Sequence, residues 1–466
     1  MEHHTSERMN SLDTTICAIS TPPGTGGIAT ARISGPDAFR IVGRIWRGCS
    51  LDQAATHTAH LGTIVDPADN RALDSAVATI FKSPRSFTGE DTVEITVHGS
   101  QWIQRELINM LIRNGATLAQ PGEFTRRALQ NGRMDLAQAE AVGDMIAASS
   151  RAAQRIALSH MRGHYSKKLD ELRQQLLELS ALVELELDFS EEDVEFADRT
   201  RLLQLAREIH ARVSSLAASF AAGRAIKNGI PVAIVGATNA GKSTLLNRLL
   251  GEDKAIVSDI HGTTRDIIED TAEIDGTLYR FIDTAGLRKT SDPIEAIGIE
   301  RARNSAAAAS LIIWVIDPTQ HPQRQDETWA EIAPLITPEM RVIAVINKTD
   351  IGHIDTSTLP DRIDATISIS ALNDADLSPL TRLIAQLAIP ADITPELTVT
   401  NARHYEALTR AAESISRAIE SMRADLPGDL LAQDLRETAA HLASITSPIT
   451  TPALLSHIFS HFCIGK

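Results

Sequence analysis

The chain has 466 residues, 43% hydrophobic and 23% charged, enough apolar material to bury cores without disulfide or metal staples. Its 45 Lys and Arg stand against 60 Asp and Glu, a net charge of −15, which argues against a surface coated for non-specific nucleic-acid binding, since neutralising phosphates takes clustered cations. No run of about 18 uncharged apolar residues is present, so no membrane span is expected.

The opening MEHHTSERMN has neither an apolar signal stretch nor an Arg-rich transit pattern, so a cytoplasmic location is expected, with Met9 a second candidate start. The cysteines Cys17, Cys49 and Cys463 form no CxxC pair and support neither a zinc site nor a disulfide framework. From residue 14 to about 130, β-rich runs alternate with turns. ATIF (78–81) and TVEITVHG (92–99) read as strands, TPPGTGG (21–27) as a loop, and QWIQRELINMLIRNG (101–115) as a helix closed by glycine. A compact α+β domain over 1–131 is expected.

Met134 to about Phe189 has helical spacing, and a second helix is predicted from about Thr200 to Lys227, stopping at Asn228-Gly229. Between them ELELDFSEEDVEFAD (184–198) holds eight acids and no base. A solvated loop and helix cap is the plainer reading, and a surface for divalent metal or a basic partner the sharper one. Over 231–390 the runs PVAIVG, TLYRFID, LIIWVID, RVIAVIN and TISIS alternate with helices, the pattern of a parallel sheet covered on both faces. Asn401 onward is helical again, broken at Pro427-Gly428 and around Pro448. The expected organisation is therefore multidomain α/β: a helical domain in two parts, 132–228 and 391–466, interrupted by a doubly wound P-loop domain over 229–390.

GATNAGKS (236–243) fits the phosphate-loop pattern between a strand and the helix STLLNRLLG. Gly236 and Gly241 let backbone N–H groups face phosphate oxygens, and the helix N-terminus adds its dipole. Lys242 is placed to reach the β- and γ-phosphates, Ser243 to ligate Mg²⁺, and Asn239, Ala240 and Thr244 complete the cradle. DTAG supplies Asp283 for the Mg²⁺ shell and Gly286 to sense the γ-phosphate, with Thr284 and Ala285 between them. In NKTD, Asn347 and Lys348 precede Asp350, whose carboxylate suits the N1–H and 2-amino edge of guanine and rejects adenine. Ser370 and Ala371 fall where a backbone N–H meets guanine O6. GTTRD (262–266) reads as a switch segment in which Thr264 binds Mg²⁺. Leu287 stands where Ras-type enzymes carry a water-orienting glutamine, so another group must orient water and another charge must replace an arginine finger. On spacing alone, Asn239 either braces the loop or ligates a monovalent cation.

GATNAGKSTLLNRLLG, KAIVSDIHGTTRD, DTAGLR, NKTD and the terminal FCIGK, with TPPGTGGIATARISG, FTGEDTVEITVHG and PGEFTRRALQNGRMDLAQAEA, resemble the tRNA-modification GTPases of the MnmE (TrmE) family. The likeness runs from Thr14 to Lys466. It implies a Ras-like G domain activated by K⁺, with Asn239 as an ion ligand and Ser258, Ile260 and Thr263 in the loop Ser258, Asp259, Ile260, His261, Gly262, Thr263, Thr264 completing the shell. It implies that Glu295 orients the attacking water. It implies an N-terminal domain like folate-binding one-carbon enzymes, which dimerises and contacts a tetrahydrofolate (5,10-methylene or 5-formyl) through Arg32, Glu94, Arg133 and Lys466, with Arg133 where a family lysine is common. Cys463 is implicated in modification, although a buried structural thiol is also open and a prenylation box is poor. The implied reaction adds an aminomethyl-type group at C5 of the wobble uridine of certain tRNAs, as a homodimer in a larger complex with the FAD-dependent MnmG (GidA). Two other classes share the nucleotide motifs: Era-like ribosome-assembly switches and dynamin-like membrane scaffolds. The N-terminal signature and acidic composition count against them.

Overall fold

The structure is a computed structural model describing residues 14–188, 199–252, 269–283, 307, 309–374, 376–388, 394–424, 428–447, 458–460, 462 and 465. Ser258 to Thr264, Thr284 to Gly286, Glu295, Cys463 and Lys466 lie outside the described residues, as does most of the acidic stretch after Asp188. Contacts group the chain into two units, Met1–Gly143 with Ala443–Lys466, and Asp144–Leu442. Among the described residues no helix is long and apolar enough to cross a membrane.

The first unit is built on a seven-stranded sheet. Its strands are β1 (Ile16–Ile19), β2 (Ile28–Ser34), β3 (Trp46–Arg47), β4 (Thr58–Val65), β5 (Ala72–Phe81), β6 (Thr92–His98) and β7 (Thr117–Leu118), in the order β3-β4-β5-β6-β2-β1-β7. All pairings are antiparallel except β1 with β7. The period of two divides β2 and β6 into unlike faces. Ala29, Ala31, Ile33, Val93, Ile95 and Val97 enter the main core with helices α1 (Ala38–Ile45) and α2 (Gln101–Arg113). The opposite face carries Arg32, Ser34, Thr92 and Glu94, beside which lies the short helix α3 (Glu123–Gln130). The tail returns to this unit: Phe459 and the partly buried Phe462 pack with Leu129, Leu136 and Ala139. Gly465, at φ 98°, sits so close to the Ile19 carbonyl that a Cβ would collide with it.

In the second unit, α4 (Leu136–Ala147), which begins in the first, is followed by α5 (Arg151–Met161), α6 (His164–Asp188), α7 (Arg199–Ala218) and α8 (Phe220–Asn228). The predicted single helix from Thr200 to Lys227 is two, parted at Ser219, whose hydroxyl donates to the Leu216 and Leu397 carbonyls. Apolar residues three and four apart line α6 (Leu169, Leu172, Leu176, Leu179, Val183) and α7 (Leu202, Ala206, Ile209, Val213, Leu216).

The sheet that follows has strands β8 (Ile230–Gly236), β9 (Glu269–Ile274), β10 (Thr277–Asp283), β11 (Leu311–Ile316), β12 (Arg341–Ile346) and β13 (Ala365–Ser368). Their order is β13-β12-β11-β8-β10-β9. The expected parallel sheet is mixed, because EDTAEI forms the edge strand β9, antiparallel to β10. That segment is mostly polar, with Ala272 and Ile274 its only apolar residues, and so lacks the continuous apolar run of a strand buried on both faces. Helices α9 (Lys242–Glu252), α10 (Pro322–Ile332) and α11 (Ser378–Ala388) accompany the sheet, whose two faces bury separate cores. The chain then enters α12 (Ala402–Arg423), which packs on α7, and α13 (Gly428–Thr446).

Candidate functional site

The strands β8, β10, β11, β12 and β13 of the second unit end on one edge, where the central strand β8 turns into α9. Ligands of doubly wound sheets lie in the crevice outside such carboxyl ends. Gly236 has φ 152°, and a Cβ there would strike the Val315 carbonyl. Asn239 and Gly241 are left-handed, φ 65° and 97°. Side chain donors hold three successive carbonyls of the loop: Gln320 Nε2 binds Thr238 O at 2.9 Å, Lys348 Nζ binds Asn239 O at 2.7 Å and Asn347 Nδ2 binds Ala240 O at 2.8 Å. Thr238, Asn239, Ser243 and Thr244 are exposed. Lys242 Nζ donates to the Gly236 and Ala237 carbonyls at 2.9 and 3.0 Å.

The residues expected at the base form one network with the loop. Buried Asn347 accepts from the Ala371 N–H at 2.8 Å through Oδ1, so a single amide joins the phosphate loop to the Ser370-Ala371 turn. Asp350 is exposed, and its two oxygens accept from Ser370 Oγ at 2.7 Å and Asn373 Nδ2 at 3.0 Å. The Ser370 hydroxyl bond is the chief reason its carboxyl titrates below the ordinary range. Asp374 Oδ2 accepts from the Ser370 N–H at 2.6 Å, and Arg248 of α9 donates to the Ala371 and Asp374 carbonyls. The structure thus brings Asn239, Ala240, Gly241, Asn347, Lys348, Asp350, Ser370 and Ala371 together, and Asp283 ends the strand paired with β8.

Sequence reasoning passed over Asp317. It is 4% exposed at the end of β11 and accepts from Lys348 Nζ at 2.7 Å, while Thr319 N and Oγ1 hold its other oxygen at 2.9 and 2.7 Å. Burial pushes this carboxyl upward, but Lys348 and Thr319 outweigh it and the group titrates below its usual range. The available signal was the acid closing the apolar run LIIWVID.

In the first unit, β2–β6 register sets Arg32 opposite Glu94, and the guanidinium donates to Glu94 Oε1 at 2.8 Å. Phe87 and Phe124 lie 5.4 and 5.6 Å from it. Phe87 also lines a cleft of about 360 Å³ with His57, Phe81, Arg85, Ser86 and Arg133. Arg32 and Glu94 are therefore in contact, and Arg133 reaches the same neighbourhood through Phe87. The fully buried Arg127, also passed over, donates to Thr14 O at 2.6 Å and to Glu90 and Glu123 at 3.1 Å each. Glu90 in turn accepts from Ser34, which neighbours Thr88 at 2.7 Å.

A doubly wound sheet with a glycine phosphate loop after its central strand is the architecture of a P-loop GTPase domain. The model of the MnmE helical domain matches residues 136–463, and that of the GTP-binding protein TrmE N-terminus matches 15–133. A tRNA modification GTPase MnmE of Parabacteroides distasonis is 52% identical over 463 residues, covering 97% of this chain and 100% of its own. Proteins of the same name from Bacteroides fragilis and Cytophaga hutchinsonii are each 47% identical, with 97% of this chain covered and 99% and 98% of theirs. Among solved structures, Aquifex aeolicus Era bound to GDP and AlF4⁻ is 33% identical over 39% of this chain and 65% of its own, at a TM-score of 0.27. The chain belongs to the MnmE family of tRNA modification GTPases.

Proposed function

We propose that this chain hydrolyses GTP and uses the cycle to modify C5 of the wobble uridine of certain tRNAs, as a homodimer with an FAD-dependent partner of the MnmG type. The observation that carries the nucleotide half is the bond network from Asp350 through Ser370, Ala371 and Asn347 to Ala240. It ties the carboxylate assigned to guanine and the phosphate loop into one hydrogen-bonded frame. The tRNA half is supported by membership of the family over nearly the full chain.

Within that frame Lys242 reaches for the β- and γ-phosphates, as do the loop N–H groups, while Asp350 accepts the two donors of the guanine edge. Ser243 and Thr264 would hold Mg²⁺, with Asp283 in its outer shell. The exposed amide of Asn239 is a neutral oxygen donor of the kind that suits K⁺, and Ser258, Ile260 and Thr263 would complete that shell. Bound there, the ion supplies positive charge beside the transferring phosphoryl. Glu295 orients the attacking water, the task Leu287 cannot perform.

In the first unit, Glu94, held by Arg32, pairs with the amino-pyrimidine edge of a tetrahydrofolate, and Arg133 and Lys466 provide the cations suited to its anionic tail. The folate supplies the one-carbon unit, and Cys463 takes part in the modification step.

Asp350→Asn tests the guanine assignment. An amide offers one acceptor where two donors need accommodation, so GTP affinity should fall about a hundredfold or more. Xanthosine triphosphate, with a carbonyl in place of the 2-amino group, should regain it. Equal GTP binding by the variant and the unaltered chain in fluorescent-nucleotide titration would remove Asp350 from the base site. Reconstitution with the partner, GTP, K⁺ and a folate donor, read by mass spectrometry of wobble nucleosides, tests the rest.

A further inference from the structure

We propose that Asp317 is a positioning residue for the Asn239 tip of the phosphate loop, acting through Lys348, and that with Gln320 it sets how well the loop accepts K⁺. The inference rests on the proposed role of Asn239 as an ion ligand.

Asn239 adopts φ 65°, a conformation that costs a non-glycine residue free energy unless its surroundings hold it. Its carbonyl is held by Lys348 Nζ at 2.7 Å, and the carbonyls on either side are held by Gln320 and Asn347. With those three oxygens engaged from the sheet edge, the peptide planes cannot rotate freely, and the Asn239 side chain stays on the exposed side of the loop.

Lys348 would not keep this position alone. It too is left-handed, φ 57°, and a lysine ammonium is a point charge on a flexible stem. Asp317 Oδ2 fixes the ammonium at 2.7 Å. Asp317 is itself fixed by the Thr319 amide and hydroxyl. The loop after β11 thus reaches the tip twice, through Asp317–Lys348 to Asn239 and through Gln320 to Thr238. Asp317 and Gln320 reach the expected ion ligand Asn239 only through Lys348 and the carbonyls of the loop, so both act through the loop.

The test uses the full chain and the variants Asp317→Asn and Gln320→Ala. Asp317→Asn keeps the side chain's shape and removes its charge; Gln320 is only partly buried, so its truncation preserves folding if the other variant fails to fold. Two quantities are titrated against KCl at constant ionic strength: GTP turnover, and the melting temperature of the protein carrying GDP and AlF4⁻, which reports ion binding without turnover. The half-saturating K⁺ should rise about fivefold or more in both readouts, as expected for loosening one charge-assisted bond, while KM for GTP stays within about twofold. An unchanged K⁺ midpoint in the folded variants overturns the proposal. So does a KM that rises in step with the K⁺ midpoint, which would make the pair a general prop of the loop. If the unaltered chain shows no K⁺ dependence in either readout, the ion assignment of Asn239 fails first and the positioning role falls with it.

Discussion

His160 gives the second unit an acid sensitivity whose size follows from its surroundings. The ring is 3% exposed on α5, stacked on Tyr165 at 4.7 Å, which is stacked in turn on His404 at 5.5 Å. Burial is the main reason its pKa is held down to about 4, with the His404 ring and Lys227 adding to it against the pull of the Thr398 and Pro395 carbonyls. The unfolded chain takes up this proton near the ordinary histidine value of about 6.5, whereas the folded chain resists it until near 4. Between those values the unfolded state binds more protons, so stability is fully present above about pH 6.5 and is lost as pH falls towards 4. The total loss is ~3 kcal/mol, of which ~2 kcal/mol falls between pH 7 and pH 5, about a twentyfold change in the opening equilibrium. His160→Gln keeps a planar polar side chain and removes the titration. Hydrogen exchange of peptides from α5, α6 and α12, corrected for intrinsic rates, should show the unaltered chain losing about twentyfold protection between pH 7 and pH 5 and the variant losing far less. Parallel losses in both proteins would refute the reasoning.

Other substitutions probe the two sites. At Gly241, with φ 97°, a Cβ would collide with Nδ2 of Asn347, the atom that holds the Ala240 carbonyl. Gly241→Ala should therefore weaken nucleotide binding by about two orders of magnitude, combining backbone strain with a broken buried bond; fluorescent-GDP titration reads it, and unaltered affinity would count against the bond network. Arg127→Met leaves Glu90 and Glu123 without their buried cation and should destabilise the first unit by ~3–5 kcal/mol. Adding Glu90→Gln and Glu123→Gln should restore much of that in urea melts; equal losses in the single and triple variants would show that packing, and not charge, is what Arg127 provides.

Much of the nucleotide site is local in sequence. The glycines of the phosphate loop, the acid and amide of NKTD and the apolar strands before them each carry their chemistry within a few residues, because backbone curvature and strand burial are set by short patterns. The residues proposed to meet folate are less legible: Arg32 and Glu94 are ordinary charged residues until the β2–β6 register sets them opposite one another. The edge strand β9 escaped because a half-exposed strand has no continuous apolar run. The division of Thr200 to Lys227 into two helices escaped because it falls at Ser219, whose bond to Leu397 joins residues far apart in sequence that no local spacing reveals.

By itself, then, the order of residues determined the nucleotide class, the alternation of helical and sheet regions, and the family, since all three are written in contiguous motifs. Only the tertiary structure decided that Asp317 and Gln320 reach the phosphate loop, that Arg127 is neutralised by Glu90 and Glu123, and that Phe459 and Gly465 pack in the first unit. Those are pairings across long stretches of chain. A hydrogen bond or a buried ion pair depends on separation in space, which no local spacing of residues specifies.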